Sequence, residues 1–216
     1  HAKIVRIDSA AAKKLPGVLD VVTGNDLAAA GWKGAPAMAF FKGVGGSSVR
    51  VPFRTGLAHE RVRFVGEPVA LIVAETDAIA QDAAELVTVD YEDLPVYVGA
   101  KDAIPAGATP IHDTYPDNLA FDYEYGDSKA TEPGFAEAAH VVRVALHAQR
   151  IAGNPMEPKS CTALYHAADE AFEICAPTQG AADMKNALSS MIGLPPEKFR
   201  IHSRSEEHTS ELQSPY

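Results

Sequence analysis

The sequence predicts a mixed α/β chain of the α+β class, folded as two successive units. Three observations carry this expectation. From Ile4 to Glu92, short alternating apolar runs and short helical patterns follow one another, as in a compact layered domain. Ala100 to Asn118 is rich in Pro, Gly and small polar residues and reads as a surface linker, with a domain boundary near Pro116 to Asn118. Beyond it, a stiff proline-bracketed segment leads into a hairpin and an amphipathic helix. With 216 residues, 46% of them apolar, the chain has material for two small cores.

Ile4, Arg6 and Asp8 alternate with Val5 and Ile7 in a first strand, and Ser9 to Leu15 reads as one or two helical turns broken by Pro16-Gly17. Val18, Leu19, Val21 and Val22 return as a strand. Thr23-Gly24-Asn25-Asp26 closes it, with Asn25 or Asp26 as the cap of a short helix through Ala30.

Gly31 to Leu57 shows neither period. It is expected to be a long loop that either covers a neighbouring domain or subunit or packs on its own aromatics, Trp32, Phe40, Phe41 and Phe53. Gly43-Val44-Gly45-Gly46 lacks the Lys-Ser/Thr pair and the following helix that a phosphate loop requires. Arg61 to Glu75 is nearly continuous in apolar residues and predicts a strand buried on both faces, bent at Gly66 and Pro68. Glu67 is expected to accept hydrogen bonds at that bend and to have no catalytic role. Thr76 then caps a helix with Ile79, Ala80, Ala83 and Leu86 inward, and Val87, Val89 and Tyr91 alternate in a strand that Pro95 ends.

In the second unit, Pro133 to Ala139 reads as a helical turn and Val141 to His147 as an alternating strand. Pro155 and Pro158 fix φ and keep the residues before them out of the α region, so Asn154 to Pro158 is extended. Glu157, between the two prolines, is assigned a structural role such as pairing with Arg150 or Lys159. Cys161 to Tyr165 and Ala171 to Ala176 form a hairpin across His166 to Glu170. Gly180 opens a helix whose Met184, Leu188, Met191 and Ile192 share one face, and Gly193 and Pro195 stop it. Gln179 therefore falls where a strand ends and a helix begins, beside free backbone N–H groups and the positive end of the helix dipole. Such a corner suits an anionic or oxo-bearing ligand. Its plainer use is for Thr178 or Gln179 to cap the helix.

Composition narrows the function classes. The net charge of −10, from 19 basic and 29 acidic residues without a basic cluster, argues against a nucleic-acid surface. No run approaches eighteen apolar residues, so no membrane span is expected. Cys161 and Cys175 are too few for a disulfide framework or a four-thiolate site; adjacent strands admit a bridge between them, and free buried thiols are expected in a reducing compartment. His140 and His147 stand seven apart without a third ligand at metal spacing, so no metal site is assigned to them. The chain opens at His1 and is read as a fragment; a cytoplasmic location is expected, with the periplasm left open because the start is missing.

Asn154-Pro155-Met156-Glu157-Pro158, followed by Thr178-Gln179-Gly180, a helix and Gly193-Leu194-Pro195-Pro196-Glu197-Lys198, resembles the molybdenum-binding subunit of the xanthine dehydrogenase, aldehyde oxidase and aerobic carbon monoxide dehydrogenase family. The segments His1 to Asp8, Val62 to Val69 and Val89 to Pro95 are similar to that family's preceding domain, and Gly126-Asp127 stands where the family has such a pair. The resemblance runs from His1 to His202. It implies a hammerhead-like α/β domain over 1–117 and the first part of a molybdopterin-binding α+β domain over 118–203. It also implies a molybdenum cofactor, as molybdopterin or its cytosine dinucleotide, with iron–sulfur and FAD centres in partner domains or subunits of a hetero-oligomer. The family hydroxylates an N-heterocycle, purine or aldehyde by a metal-bound hydroxide and hydride transfer to a sulfido ligand, or oxidises carbon monoxide. Carbon monoxide is the least favoured substrate, because the family's copper-binding cysteine loop does not fall in this stretch.

By the same resemblance, Gln179 is the cofactor-binding glutamine that donates to an oxygen on molybdenum. The catalytic glutamate and most pterin contacts lie further downstream, so no catalytic residue and no direct metal ligand is assigned here. A rival reading is a non-catalytic α/β module that binds a protein partner. After Ile201 the family's Gly-Gly-x-Phe-Gly loop is expected, yet Arg204 to Ser214 resembles the translation of a common sequencing adapter. The native sequence is therefore expected to end near Ser203, with 204–216 a non-native tail.

Overall fold

The computed structural model describes residues 1–35, 41–148, 151, 160–178 and 180–203. Its first sheet has the order β3 (Arg61–Val62), β1 (Ala2–Asp8), β5 (Thr88–Asp93), with both pairings antiparallel. Opposite charges face each other across the β1–β5 ladder. Lys3 Nζ meets Glu92 at 3.0 Å, and Arg6 meets Asp90 at 3.0 Å and Asp8 at 3.1 Å. The register shifts between Ile4 and Arg6, leaving Val5 over and exposed.

A second sheet pairs β2 (Val18–Thr23) antiparallel with β4 (Ala70–Ala74), and its register shifts between Val18 and Asp20. Leu19 is the surplus residue there and is also exposed. The core of the first unit lies against this pair. Ala12, in a 3-10 turn at Ala12–Lys14, Val21 of β2 and Ala83 of α2 (Asp77–Glu85) are fully buried, with Leu15, Val18, Ala70, Ile72 and Val87 packed around them. Small residues at Ala12 and Ala83 let the turn and the helix sit close on the strands.

Several expectations need correction. The cap of α1 (Gly24–Ala29) is Thr23, not Asn25 or Asp26. The Asp26 carboxylate instead reaches back to accept the Thr23 N–H and hydroxyl, each at 2.7 Å, which holds its pKa below the usual carboxylate range. Arg61 to Glu75 is not one strand buried on both faces. Gly66, at φ 89°, turns the chain, so β3 and β4 lie in different sheets, Phe64 and Val65 face solvent, and β4 keeps only Ala70, Ile72 and Ala74 partly covered. Glu67 accepts the Arg63 N–H across that bend. Thr76 caps α2, accepting from the Ile79 N–H at 3.3 Å, and Ala83 is the helix's buried residue, but Leu86 is exposed at the helix end.

The loop after α1 reaches the second unit. Val44 N donates to Asp122 O at 2.8 Å, Arg50 N donates to Ala120 O at 2.9 Å, and the Phe41 ring makes edge contacts with Phe121 and Tyr123. Of the two expected roles, the described part of the loop shows covering of a neighbouring segment. The linker carries a short helix, α3 (Ala100–Ala103), and is fastened by Asn118. At φ 54°, Asn118 accepts from Ile111 N and donates to Ala103 O, each at 2.8 Å, and to Thr109 O at 3.1 Å. Arg61 and Arg63 reach over from the first unit to the Pro110 and Ile111 carbonyls.

Asp127 caps α4 (Ser128–Glu137) by accepting from Ala130 N at 3.0 Å, so this helix begins five residues before the expected turn and carries Pro133 within it. Val141 to His147 forms no strand. The alternation is present in sequence, yet among the described residues no strand offers it a ladder, and its side chains stay in solvent. No helix among the described residues is long and apolar enough to cross a membrane.

Candidate cofactor-binding corner

β6 (Thr162–His166) and β7 (Ala171–Cys175) form the expected hairpin, with Glu170 at φ 49° in the turn. From β7 the chain passes through Pro177 into α5 (Ala181–Ile192) and returns as β8 (Phe199–His202), parallel to β7. This β–α–β return is the unit's frame. Met184, Leu188 and Met191 are half-buried along α5, and Gly193 ends the helix at φ 82°. Ile192, expected on the same face, is more exposed.

Alternation divides the sheet. Tyr165, Phe172 and Phe199 lie on one face with rings in contact, and Phe199 is buried. Glu173, on the other face, takes a hydrogen bond from His166 Nε2 at 3.1 Å and has His202 Nε2 at 3.1 Å and Arg200 at 3.8 Å as ion-pair neighbours. The hydrogen bond from His166 lowers the Glu173 pKa first, and the charges of His202 and Arg200 lower it further. The sequence reading did not anticipate β8 and so missed this cluster, although the two-residue spacing of Arg200 and His202 is its signature.

The corner lies where β7 and β8 both end. Ala176 N donates to His202 O at 3.0 Å, the last backbone hydrogen bond between the two strand ends among the described residues. The Ser203 hydroxyl takes over. It donates to Thr178 O at 2.9 Å and accepts from Thr178 N at 3.4 Å, while Thr178 Oγ1 accepts the Gly180 N–H at 3.2 Å. Residue 179 is thus flanked by two neighbours with assigned partners. Gln179 itself lies outside the described residues, as do Arg150, Glu157 and Lys159. Gly180 is the N-cap of α5 and supplies no side-chain acceptor, so the helix's first N–H groups have no side-chain cap. A Cβ on Gly180 would come within 2.8 Å of Asp183 Oδ2, so the backbone here passes close to the first helical turn. The uncapped N–H groups of the helix mouth can donate to anionic or oxo oxygens, which suits the oxo-bearing cofactor that the resemblance implies.

Elsewhere, Cys161 and Cys175 are free thiols, and Cys161 is exposed rather than buried. Among the described residues, no group of three or more His, Cys, Asp or Glu could hold a metal ion.

Residues 1–95 match the aldehyde oxidase and xanthine dehydrogenase a/b hammerhead domain, and residues 111–205 match the molybdopterin cofactor-binding domain. The chain belongs to the family of molybdopterin-binding subunits that includes xanthine dehydrogenase, aldehyde oxidase and carbon monoxide dehydrogenase. It is similar to the nicotine 6-hydroxylase large subunit of Paenarthrobacter nicotinovorans, with 33% identity over 94% of this chain and 24% of the relative. It is also similar to the carbon monoxide dehydrogenase large chain of Afipia carboxidovorans, with 30% identity over 93% of this chain and 25% of the relative. Among solved structures it is similar to quinoline 2-oxidoreductase from Pseudomonas putida 86, with a TM-score of 0.79 and 32% identity over 94% of this chain and 25% of that one. The chain spans about a quarter of the length of these relatives.

Proposed function

We propose that this chain supplies the hammerhead-like domain, 1–117, and the opening part of the molybdopterin-binding domain, 118–203, of a molybdenum hydroxylase acting on an N-heterocycle, purine or aldehyde. The observation that carries the reading is the corner at Thr178 to Gly180, where a ladder ends, a helix with no side-chain cap begins and the resemblance puts a glutamine. Likeness to proteins named for nicotine and quinoline favours an N-heterocycle. When bound, the molybdenum cofactor supplies the redox and Lewis-acid chemistry. This chain's part is to bind and orient. The Gln179 amide would donate a hydrogen bond to an oxygen of the group, and the α5 N-terminus would favour its negative charge.

Iron–sulfur and FAD centres in partner subunits or domains would carry electrons away, making the working enzyme a hetero-oligomer, and the pterin would be plain molybdopterin or its cytosine dinucleotide. The test is metal and pterin analysis of the full-length parent, together with its Gln179→Ala variant. Stoichiometric molybdenum and a kcat lowered about 100-fold in the variant are expected. A full-length protein without molybdenum, or a variant with unchanged kcat, overturns the reading.

A further inference from the structure

We infer that Ser203 and Thr178 form a latch that positions the Gln179 corner, so both are positioning residues for the cofactor site; this rests on the reading proposed above. Among the described residues, the last backbone hydrogen bond between the ends of β7 and β8 runs from Ala176 N to His202 O, two residues before Thr178. Beyond it, no backbone–backbone hydrogen bond among the described residues holds Pro177 or Thr178, so the corner needs a substitute. The Ser203 hydroxyl provides that substitute by donating to the Thr178 carbonyl and accepting the Thr178 N–H, as a backbone partner on a neighbouring strand would. Thr178 passes the restraint on, since its Oγ1 accepts the N–H of Gly180. Both neighbours of Gln179 are thereby fixed through side-chain oxygens, and the restraint originates at Ser203, just past the end of β8 and twenty-five residues away in sequence. Such pre-organisation limits what a bound group must spend in ordering its own site.

Amide hydrogen exchange on the 216-residue chain tests the latch. In Ser203→Ala, the amides of Thr178 and Gly180 are expected to exchange about tenfold faster, while those of Ala171 to Cys175 and Phe199 to His202 keep their protection. Ser203→Thr, which keeps the hydroxyl, restores the slow exchange. Thr178→Val accelerates Gly180 alone. Unchanged exchange at both corner amides in Ser203→Ala overturns the latch. Uniform acceleration along β7 and β8 also overturns it, since that marks a general structural role. Metal analysis of the full-length parent separates the two ideas: absent molybdenum with the expected exchange pattern defeats the functional reading alone, and full molybdenum with unaltered exchange defeats the latch alone.

Discussion

Arg50 Nη1 stands 2.6 Å from both carboxylate oxygens of Asp117, which ties the middle of the long loop to the start of the second unit. The Arg50 hydrogen bond, followed by one from the Leu119 N–H, holds the Asp117 carboxyl below the usual range. Both partners are substantially exposed, so the pair is weak in free energy and local in effect. Arg50→Ala should leave the urea midpoint nearly unchanged. Limited trypsin cleavage at Lys42 should nevertheless become faster, because the loop's anchors at Asp122 and Ala120 work beside this pair. A large loss of global stability would show that the loop does more than cover.

Asn118→Ala should be costly. The substitution removes three hydrogen bonds to backbone groups and puts a side chain that disfavours φ 54° in place of one that tolerates it. A loss of about 2–4 kcal/mol in urea unfolding is expected. Asn118→Gly accommodates the backbone angle and should recover only part of it. Asn118→Gly as stable as the wild type would mean that the side-chain bonds contribute nothing.

Glu173 makes stability depend on pH with a definite sign. Its pKa is lowered in the folded chain, so its contribution is present above the unfolded carboxylate value and disappears as pH falls through the depressed one. Wild type should exceed Glu173→Gln in urea midpoint at neutral pH. The two curves should converge in acid, below the ordinary range for glutamate. A gap that widens on acidification would contradict the assignment of His166 and His202 as its partners.

The 216-residue chain alone should not retain molybdopterin. By resemblance, this chain contributes Gln179 beside one helix mouth, whereas most of the pterin contacts fall outside this stretch. Metal analysis of the purified chain should find molybdenum far below one equivalent, and a stoichiometric content would show that this portion suffices.

Much of the frame was legible in the sequence because period and punctuation agree there. The β6–β7 hairpin, the Thr76 cap of α2 and the Gly193 stop of α5 stand where spacing puts them. Apart from the local caps at Thr23 and Asp127, the misses depend on how segments meet rather than on local pattern. Val5 and Leu19 look like ordinary strand residues until a partner's register makes each of them surplus. Phe64 and Val65 belong to an apolar run, but Gly66 turns them out. At the corner, Gln179 could be singled out by its place between strand and helix. The Ser203 hydroxyl could not, because its partner is remote in sequence and β8 was not foreseen.

The bare segment from Val141 to His147 matters for handling this chain in solution. Val142, Val144 and Leu146 are 84, 72 and 90% exposed, on a stretch with β-strand alternation and no neighbour to occupy its amides among the described residues. An exposed, unpaired apolar segment of that kind recruits like segments. Concentrated preparations will therefore drift toward oligomers through this segment, with Arg143 as its one charged gatekeeper, and a charge introduced at Val144 is the simplest way to keep the chain monodisperse.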